Sequence, residues 1–179
     1  DVRKTVSTDL KKSGNLLYVC GVTRRETGGS RYNNLFGIRG GTVPVPVPSE
    51  SLPMMEKIHL CISRGIIEAC HDCSDGGFAV ALMEMAMGGG KGAEIFIDRM
   101  ASENNGPEIL LFSESQGRFV VEVGAGHRES FEKIMRGTAA AKVGTVSGDD
   151  AVRVFFEGKN LFTVNVKQAA DVWRSGLQW

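Results

Sequence analysis

The sequence lacks an excess of charge of either sign. Its 21 lysine and arginine residues are balanced by 21 aspartate and glutamate residues, so the formal net charge is zero. A broad basic surface, which a nucleic acid or an anionic membrane would require, is therefore not expected. The sequence also lacks an apolar run of the roughly 18 residues that a membrane-spanning helix needs. It thus predicts no nucleic-acid partner and no membrane partner, and any phosphate must be bound by a local arrangement of residues.

Cysteine is scarce as well, with four residues at positions 20, 61, 70 and 73. Their spacing is not that of a disulfide framework, and residues 1–4 do not resemble a signal peptide, so we expect a reduced, cytoplasmic protein. Cys70 and Cys73 could form half a zinc site or a redox pair. A zinc site would need a second pair at suitable spacing, and only Cys20 and Cys61 remain. The favoured interpretation is that Cys70 packs as a small apolar residue at a strand end.

The 179 residues are 42% hydrophobic, which suits the core of one domain. The polar residues 1–14 indicate a linker from a missing upstream domain, and the domain is expected to span residues 15–179. Apolar patterns predict strands at 16–22, 66–70, 93–98, 118–123, 140–146, 152–156 and 161–164. Helical spacing and capping residues predict helices at 49–65, 77–87, 107–112, 127–135 and 165–174. Because helices come first and strands cluster later, the order favours an α+β fold over a doubly wound parallel sheet.

Two segments precede the first long predicted helix. Residues 23–41 form a loop rich in arginine and glycine, and a loop of this length is expected to bind something. Residues 43–48 alternate valine with proline, which predicts an extended connector outside the sheet. Ser49 is the predicted N-cap of the helix that follows. Its apolar face is predicted to consist of Leu52, Met55, Ile58 and Ile62.

The most informative motif is the polar stretch Cys70-His71-Asp72-Cys73-Ser74-Asp75-Gly76-Gly77, which runs directly into an apolar helix. Adjacent glycines allow a tight turn and close approach of a ligand, and the helix presents free N–H groups and the positive end of its dipole. This combination predicts an anion site, most often for phosphate. The two aspartates would repel a bare phosphate, so we expect Mg²⁺ between carboxylate and phosphate.

A second polar loop, Ser113-Glu114-Ser115-Gln116-Gly117, precedes the predicted strand that begins at Arg118. The functional interpretation of its four polar side chains, Ser113 to Gln116, is contact with the phosphate or amide of a substrate, and Gln116 and Arg118 could both face a cleft. The expected contact residues are Ser113, Ser115, Gln116 and Arg118. The alternative is a turn whose side chains satisfy its own backbone, with Arg118 merely starting the strand. Residues 28–31, in the earlier loop, are either a second anion nest or a glycine hinge.

These stretches carry a resemblance to a known family. The matching segments are TRRETGGSRY (23–32), HDCSDGG (71–77), AVALMEM (79–85), GAEI (92–95), LFSESQGRFVV (111–121) and KVGTV (142–146). In this order they resemble the C-terminal domain of the aminoimidazole ribonucleotide synthetase superfamily. Within it, they resemble the second such domain of the phosphoribosylformylglycinamidine synthases. The resemblance implies a mixed or antiparallel sheet flanked by helices.

The resemblance also implies chemistry. In that family an ATP-dependent ligase phosphorylates the amide oxygen of formylglycinamide ribonucleotide, and glutamine-derived ammonia then displaces the phosphate, in purine biosynthesis. Asp72 resembles a Mg²⁺ ligand and Ser74 resembles a contact to ATP or ADP. The remaining expected nucleotide or phosphate contacts are His71, Asp75, Gly76, Gly77, Ser113, Ser115, Gln116 and Arg118. Catalytic residues are not identified, and Cys73 departs from the pattern without an assigned function.

Partners follow from the same resemblance. The nucleotide site would lie between this domain and a missing N-terminal synthetase domain, so the chain alone is expected to be inactive. A glutaminase domain or subunit would supply ammonia.

Several alternatives stay open at this point. His71 could contact the ligand or merely orient its loop, and Asp72 could serve a helix cap or an Asx turn rather than a metal. The chain could belong to a related small-molecule kinase or synthetase. It could also be a non-catalytic scaffold, whose exposed apolar segments at 16–22 and 43–47 would favour a homodimer.

Overall fold

The computed structural model describes residues 2–103 and 106–176; the last three residues of the predicted domain and Asp1 lie outside this range. One sheet of seven strands, in the order β2-β4-β1-β5-β3-β6-β7, forms the centre of the fold. The strands are β1 (Leu16–Cys20), β2 (Ile67–Asp72), β3 (Ala93–Phe96), β4 (Phe119–Val123), β5 (Ala140–Val146), β6 (Ala151–Phe156) and β7 (Lys159–Asn165). Among the described strands all neighbours are antiparallel except β3 and β6, which run parallel. The expected α+β fold with a mixed sheet is therefore confirmed.

Helices cover both faces of the sheet. They are α1 (Arg31–Leu35), α2 (Pro48–Ser63), α3 (Gly77–Gly89), α4 (Pro107–Phe112), α5 (Arg128–Met135) and α6 (Val166–Ser175). On one face α3, α4 and α6 bury a core that includes Phe78, Leu82 and Leu110. On the other face α2 and α5 bury a second core around Ile58 and Phe131. None of the helices in the described part of the chain is both long and apolar enough to span a membrane.

The central strand β1 contributes to both cores. Leu17 and Val19 point into the α3 side, whereas Tyr18 and Cys20 point into the α2 side. This alternation explains its unbroken apolar sequence, since a strand covered on both faces needs apolar residues at every position. The expectation that residues 16–22 expose apolar surface to a partner is therefore wrong, because β4 and β5 pair with both edges of β1.

Helix α2 differs from the prediction at its start and in its buried face. Its N-cap is Val47 rather than Ser49, and Pro48 takes the first helical position, where its missing N–H has no cost. Met54, Ile58 and Cys61 are buried and Ile62 packs partly buried against the same core, whereas Leu52 is 59% exposed and Met55 is 47% exposed. Two of the four predicted residues, Ile58 and Ile62, therefore contact the core. The predicted face and the observed face of α2 both contain Ile58 and both have helical spacing, so periodicity alone did not distinguish between them.

The strand connections differ in kind. Residues 157 and 158 form a two-residue hairpin turn between β6 and β7, with positive φ angles of 48° at Glu157 and 75° at Gly158. The turn at 147–150 instead carries the chain past β3, which lies between β5 and β6. The predicted strand 93–98 ends at Phe96, and a single 3₁₀ turn follows over Ile97–Arg99.

The segment ahead of β1 lies against the domain. Leu10 is buried, and its N–H donates to the carbonyl of Met85 in α3. The N–H groups of Lys11 and Lys12 both donate to the buried carboxylate of Glu122, at 2.7 and 3.0 Å. The linker assignment of residues 1–14 stays a prediction, but residues 10–12 of that segment are held firmly on the sheet.

Candidate functional site

The two polar loops singled out in the sequence meet at one edge of the sheet. Asp72, the last residue of β2, pairs with Phe119, the first residue of β4, because these neighbouring strands run antiparallel. The N–H of Cys73 also donates to the carbonyl of Arg118 at 2.9 Å. Consequently the β2–α3 loop (residues 72–77) and the α4–β4 loop (residues 113–118) face each other across a cleft.

This cleft has a volume of about 470 Å³. The β2–α3 loop contributes Asp72, Cys73, Ser74 and Asp75 to its lining, and the α4–β4 loop contributes Glu114, Gln116, Gly117 and Arg118. Pro44, Met55 and Phe119 complete the wall with apolar surface. A polar end beside an apolar end is the arrangement that a nucleotide or another amphipathic small molecule needs.

Asp72 and Ser74 form the exposed acidic end of the cleft. The Ser74 hydroxyl donates a hydrogen bond to Asp72 Oδ2, and this bond lowers the pKa of the Asp72 carboxyl below its ordinary value. The Asp72 side chain is 61% exposed. Asp72 does not cap α3, since the N-cap is Gly76. Its carboxylate is thus ionised and accessible to a cation.

Gly76 and Gly77 make the turn that brings the two loops into contact. Both have a positive φ, 79° and 66°, which side-chain-bearing residues rarely adopt. A Cβ on Gly77 would lie only 2.4 Å from the carbonyl oxygen of Ser113. The predicted need for glycine at this position therefore has a second cause, which is the close approach of the α4–β4 backbone.

Three predicted contact residues of the α4–β4 loop are inaccessible. Ser113 and Ser115 are fully buried and their hydroxyl groups lie 3.0 Å apart. Arg118 is 1% exposed, and its guanidinium donates to the carbonyls of Ser113 and Ser115 and to the hydroxyl of Thr23. The Ser113 hydroxyl donates to the carbonyls of Arg24 and Glu26, and the Ser115 hydroxyl accepts the N–H of Arg24. Arg118 thus holds the loop itself, and the two serines fix it to the segment at 24–26. Of the predicted contacts in this loop, Gln116 faces the cleft without a structural task of this kind.

Sequence reasoning missed the role of Glu114. Its Oε1 accepts hydrogen bonds from the N–H groups of Gly76 and Arg31, both at 2.9 Å. Arg31 in turn pairs with Asp75, with Nε and Oδ2 separated by 3.0 Å. The earlier loop at 28–31 therefore joins the site through Glu114, a link between distant segments that no local pattern could reveal.

His71 lies away from the cleft. Side chains alternate along β2, so His71 points to the face opposite that of Asp72, towards α3. Its Nε2 lies 3.1 Å from Glu84 Oε2, while Nδ1 is 3.4 Å from Asp72 Oδ1 and makes no hydrogen bond. The predicted loop-orienting role is the one this geometry supports, with a carboxylate of α3 as partner in place of a backbone carbonyl.

The residues present fit a shared Mg²⁺ ion better than a resident metal. Among the described residues, no group of three or more histidine, cysteine, aspartate or glutamate side chains is arranged to hold a metal. Mg²⁺, however, is commonly bound by one or two carboxylates with nucleotide phosphates and water supplying the other ligands. Asp72 offers the hard oxygen that such an ion requires.

The four cysteines are free thiols. Burial raises the pKa of Cys70 to about 12 and that of Cys73 to about 11, which keeps both thiols protonated near neutral pH. A zinc ligand or a redox-active cysteine needs its thiolate, so this geometry supports the packing interpretation.

Comparison with known proteins agrees with the fold and the motifs. A family model described as "AIR synthase related protein, C-terminal domain" matches residues 12–157. The chain is 33% identical over 180 residues to the phosphoribosylformylglycinamidine synthase subunit PurL of Moorella thermoacetica, covering 99% of this chain and 24% of the relative. It is 34% identical over 181 residues to the same subunit of Methanothrix thermoacetophila, covering 99% of this chain and 23% of the relative. The chain thus spans about a quarter of the length of these relatives.

Solved structures share the architecture. Thermotoga maritima PurL complexed with FGAR superimposes with a TM-score of 0.83 at 22% identity, over 94% of this chain and 30% of the other. The same protein complexed with ATP gives a TM-score of 0.79 at 22% identity, over 94% of this chain and 27% of the other. At this identity the likeness concerns the fold. Together with the sequence match over most of its length, it establishes that the chain belongs to the family of AIR synthase related C-terminal domains.

Proposed function

We propose that the chain is the C-terminal synthetase-type domain of a phosphoribosylformylglycinamidine synthase, an ATP-dependent carbon–nitrogen ligase of purine biosynthesis. The whole enzyme would convert formylglycinamide ribonucleotide and glutamine-derived ammonia into formylglycinamidine ribonucleotide. The observation that carries the proposal is the cleft between the β2–α3 and α4–β4 loops, since both motif loops of the family meet there. Relatives named as this synthase, and a structural neighbour complexed with ATP, support it.

In this proposal the cleft holds the phosphates of ATP or ADP. Asp72 would hold Mg²⁺, which would neutralise phosphate charge when bound. Ser74 lies next to Asp72 and would donate to a phosphate oxygen once its bond to the carboxylate is exchanged. Pro44, Met55 and Phe119 would contact the apolar part of the nucleotide. These residues bind and orient, and they do not include an identified acid, base or nucleophile.

The second wall of the site would come from an N-terminal synthetase domain. Large apolar side chains are exposed on α1, on the segment at 43–47 and on α2, whose Met55 also lines the cleft. These side chains are Leu35, Phe36, Val43, Val45, Leu52 and Met55. A patch of this kind marks an interaction surface, so we propose it as the docking face of that domain.

Further partners and location belong to the same proposal. A glutaminase domain or subunit would deliver ammonia to the assembled enzyme. PurLQS from Thermotoga maritima is one of the structural neighbours of this chain. The four free thiols are consistent with the cytoplasmic location expected from the sequence. A homodimer remains a proposal that rests on the exposed valines at 43 and 45 alone.

A second candidate function is that of a non-catalytic scaffold domain that holds a nucleotide without turnover. The buried hydrogen bonds of Ser113, Ser115 and Arg118 favour it, since these polar side chains serve structure and not a reacting group. A related small-molecule kinase or synthetase shares the fold class but has no specific observation in its favour here.

Isothermal titration calorimetry of the chain with Mg·ADP tests the nucleotide site. We expect Asp72→Asn to weaken Mg·ADP binding at least about tenfold, because it removes the carboxylate proposed to hold the ion. Asp171→Asn is the matched control, since Asp171 is an exposed aspartate of α6 paired with Arg174. Equal affinity of both variants and the wild type would reject the site.

Turnover is tested by joining the chain to an N-terminal synthetase domain and measuring ADP release. The ligase proposal expects ADP release that requires both formylglycinamide ribonucleotide and ammonia. Folded protein that binds Mg·ADP but releases no substrate-dependent ADP would favour the scaffold candidate.

A further inference from the structure

The carboxylate of Glu114 occupies the place where the sequence predicts a phosphate. Oε1 of Glu114 lies 2.9 Å from the N–H nitrogen of Gly76, the N-cap residue of α3. The same oxygen accepts the N–H of Arg31, the first residue of α1, also at 2.9 Å. The anion at the start of α3 is therefore supplied by the protein itself.

The surrounding charges strengthen the effect of this carboxylate. Asp72, Asp75 and Glu114 line the cleft, and the lining contains a single cationic residue, Arg118. The Arg118 guanidinium is buried, and each of its nitrogens donates to a protein oxygen. Arg31 is engaged by Asp75. A bare nucleotide phosphate would thus approach three carboxylates. Arg118 is fully engaged and Arg31 is bound to Asp75 through Nε, so the charge of the three carboxylates exceeds that of the one exposed arginine.

We propose that Glu114 is a specificity residue that admits the nucleotide only as its metal complex. A metal-free phosphate would have to displace Glu114 from the N–H groups of Gly76 and Arg31 and would meet its charge. A metal complex carries its own cation, so the same carboxylates attract it while Glu114 keeps its hydrogen bonds. This inference rests on the proposed function, since it concerns which form of the nucleotide the cleft accepts.

Substitutions of Glu114 can separate the effect of its negative charge from the effect of its two hydrogen bonds. Glutamine has the same length as glutamate, and its amide oxygen can accept the same two N–H groups. Glu114→Gln therefore removes the charge and keeps the bridge, whereas Glu114→Ala removes both and empties the position. Glu129→Gln is the matched control, because Glu129 is exposed on α5, on the other face of the sheet.

Each variant is titrated by calorimetry with ADP, once in excess Mg²⁺ and once in EDTA. A third titration uses inorganic pyrophosphate in EDTA. We expect the wild type and Glu129→Gln to prefer Mg·ADP to metal-free ADP by at least about tenfold. In Glu114→Gln, metal-free ADP should bind about tenfold more tightly than in the wild type, so the preference shrinks. In Glu114→Ala, pyrophosphate affinity should rise by a similar factor.

Two outcomes would overturn the inference. One is a Glu114→Gln variant, with an unchanged circular dichroism spectrum, that keeps the wild-type ratio of the two ADP affinities. The other is a pyrophosphate affinity that rises in neither variant. If the wild type does not bind Mg·ADP, the proposed nucleotide site is rejected instead. The pyrophosphate titrations would still decide whether Glu114 excludes bare anions.

Discussion

The two loops that form the cleft have similar composition and opposite behaviour. In the β2–α3 loop, the carboxylates of Asp72 and Asp75 are exposed and accessible from solvent. In the α4–β4 loop, Ser113, Ser115 and Arg118 are buried and bonded to the backbone around them. Polar residues therefore have different roles in the two loops: the first loop presents them to solvent, and the second is held in shape by them.

This difference has a simple physical origin. In the β2–α3 loop Asp72, Ser74 and Asp75 lie at the surface ahead of the two buried glycines, so the carboxylates remain hydrated and little free energy is needed to keep them charged. The α4–β4 loop runs beneath the segment that begins at Thr23, where every buried donor and acceptor must find a partner. Substitutions of the buried residues in the α4–β4 loop should consequently lower stability, whereas substitutions of the exposed residues in the β2–α3 loop should affect binding.

The largest expected effect is that of Arg118→Ala. The change removes a buried guanidinium together with its hydrogen bonds to the carbonyls of Ser113 and Ser115 and to the hydroxyl of Thr23. We expect the free energy of unfolding to fall by about 3–5 kcal/mol, as measured by urea denaturation. Arg25→Ala, at an exposed position in the neighbouring loop, should change it by less than about 0.5 kcal/mol. Similar values for both variants would remove the distinction between the loops.

A second test addresses the contact between the loops. Gly77→Ala forces a Cβ to within 2.4 Å of the Ser113 carbonyl oxygen, at a φ of 66°. Gly65→Ala has nearly the same φ, 68°, but no heavy atom within 4 Å of the added Cβ. We expect a loss of about 1–2 kcal/mol for Gly65→Ala and about 2–4 kcal/mol for Gly77→Ala in thermal or urea unfolding. Equal losses would mean that the α4–β4 backbone adapts freely.

A smaller effect is expected at the exposed ion pair of Arg31 and Asp75. Their side chains are 71% and 72% exposed, so water and salt screen the attraction. Asp75→Asn should change the free energy of unfolding by less than about 0.5 kcal/mol, and the change should vanish in high salt. A loss above 2 kcal/mol would show that the β2–α3 loop is held as tightly as the α4–β4 loop.

The smallest effect at neutral pH concerns Cys73, whose side chain is buried although its neighbours Asp72 and Ser74 are exposed. Its thiol should not react with Ellman's reagent at pH 8 in the folded protein, since burial holds its pKa at about 11. In the unfolded chain the thiol has an ordinary pKa near 9.0, so stability should fall as the pH rises from about 9 to about 11. Rapid labelling of the folded protein at pH 8 would contradict the packing interpretation.

The sequence predicted the elements of the fold more fully than their arrangement. Apolar patterns located β1 and β4, and the helix at 107–112 begins and ends where composition indicated. The predicted face of α2 was right at Ile58 and Ile62 and wrong at Leu52 and Met55, because only the position of the sheet decides which side of the helix is covered. The parallel pairing of β3 with β6 likewise depends on contacts between distant segments, which no local pattern records.

The candidate site was predictable to a similar extent. The glycines at 76 and 77 and the exposed Asp72 follow from local rules, although Asp72 lines the cleft and the two buried glycines do not. The inward orientation of His71 follows from strand alternation once the end of β2 is known at Asp72. Glu114 could not be singled out, because its meaning lies in the N–H groups of Gly76 and Arg31, which approach it only in the folded chain.

The position of β1 at the centre of the sheet has a consequence for how the chain folds. Leu16 pairs with Val123 on one side and with Thr145 on the other, so both neighbours are synthesised long after β1 itself. At a synthesis rate of about 5–20 residues per second, an unpaired apolar strand stays exposed for several seconds or more. Such a strand is a template for aggregation, and shortened products that end before β5 would leave one of its edges permanently open. The most deeply buried strand of the finished domain is thus the most vulnerable strand of the nascent chain.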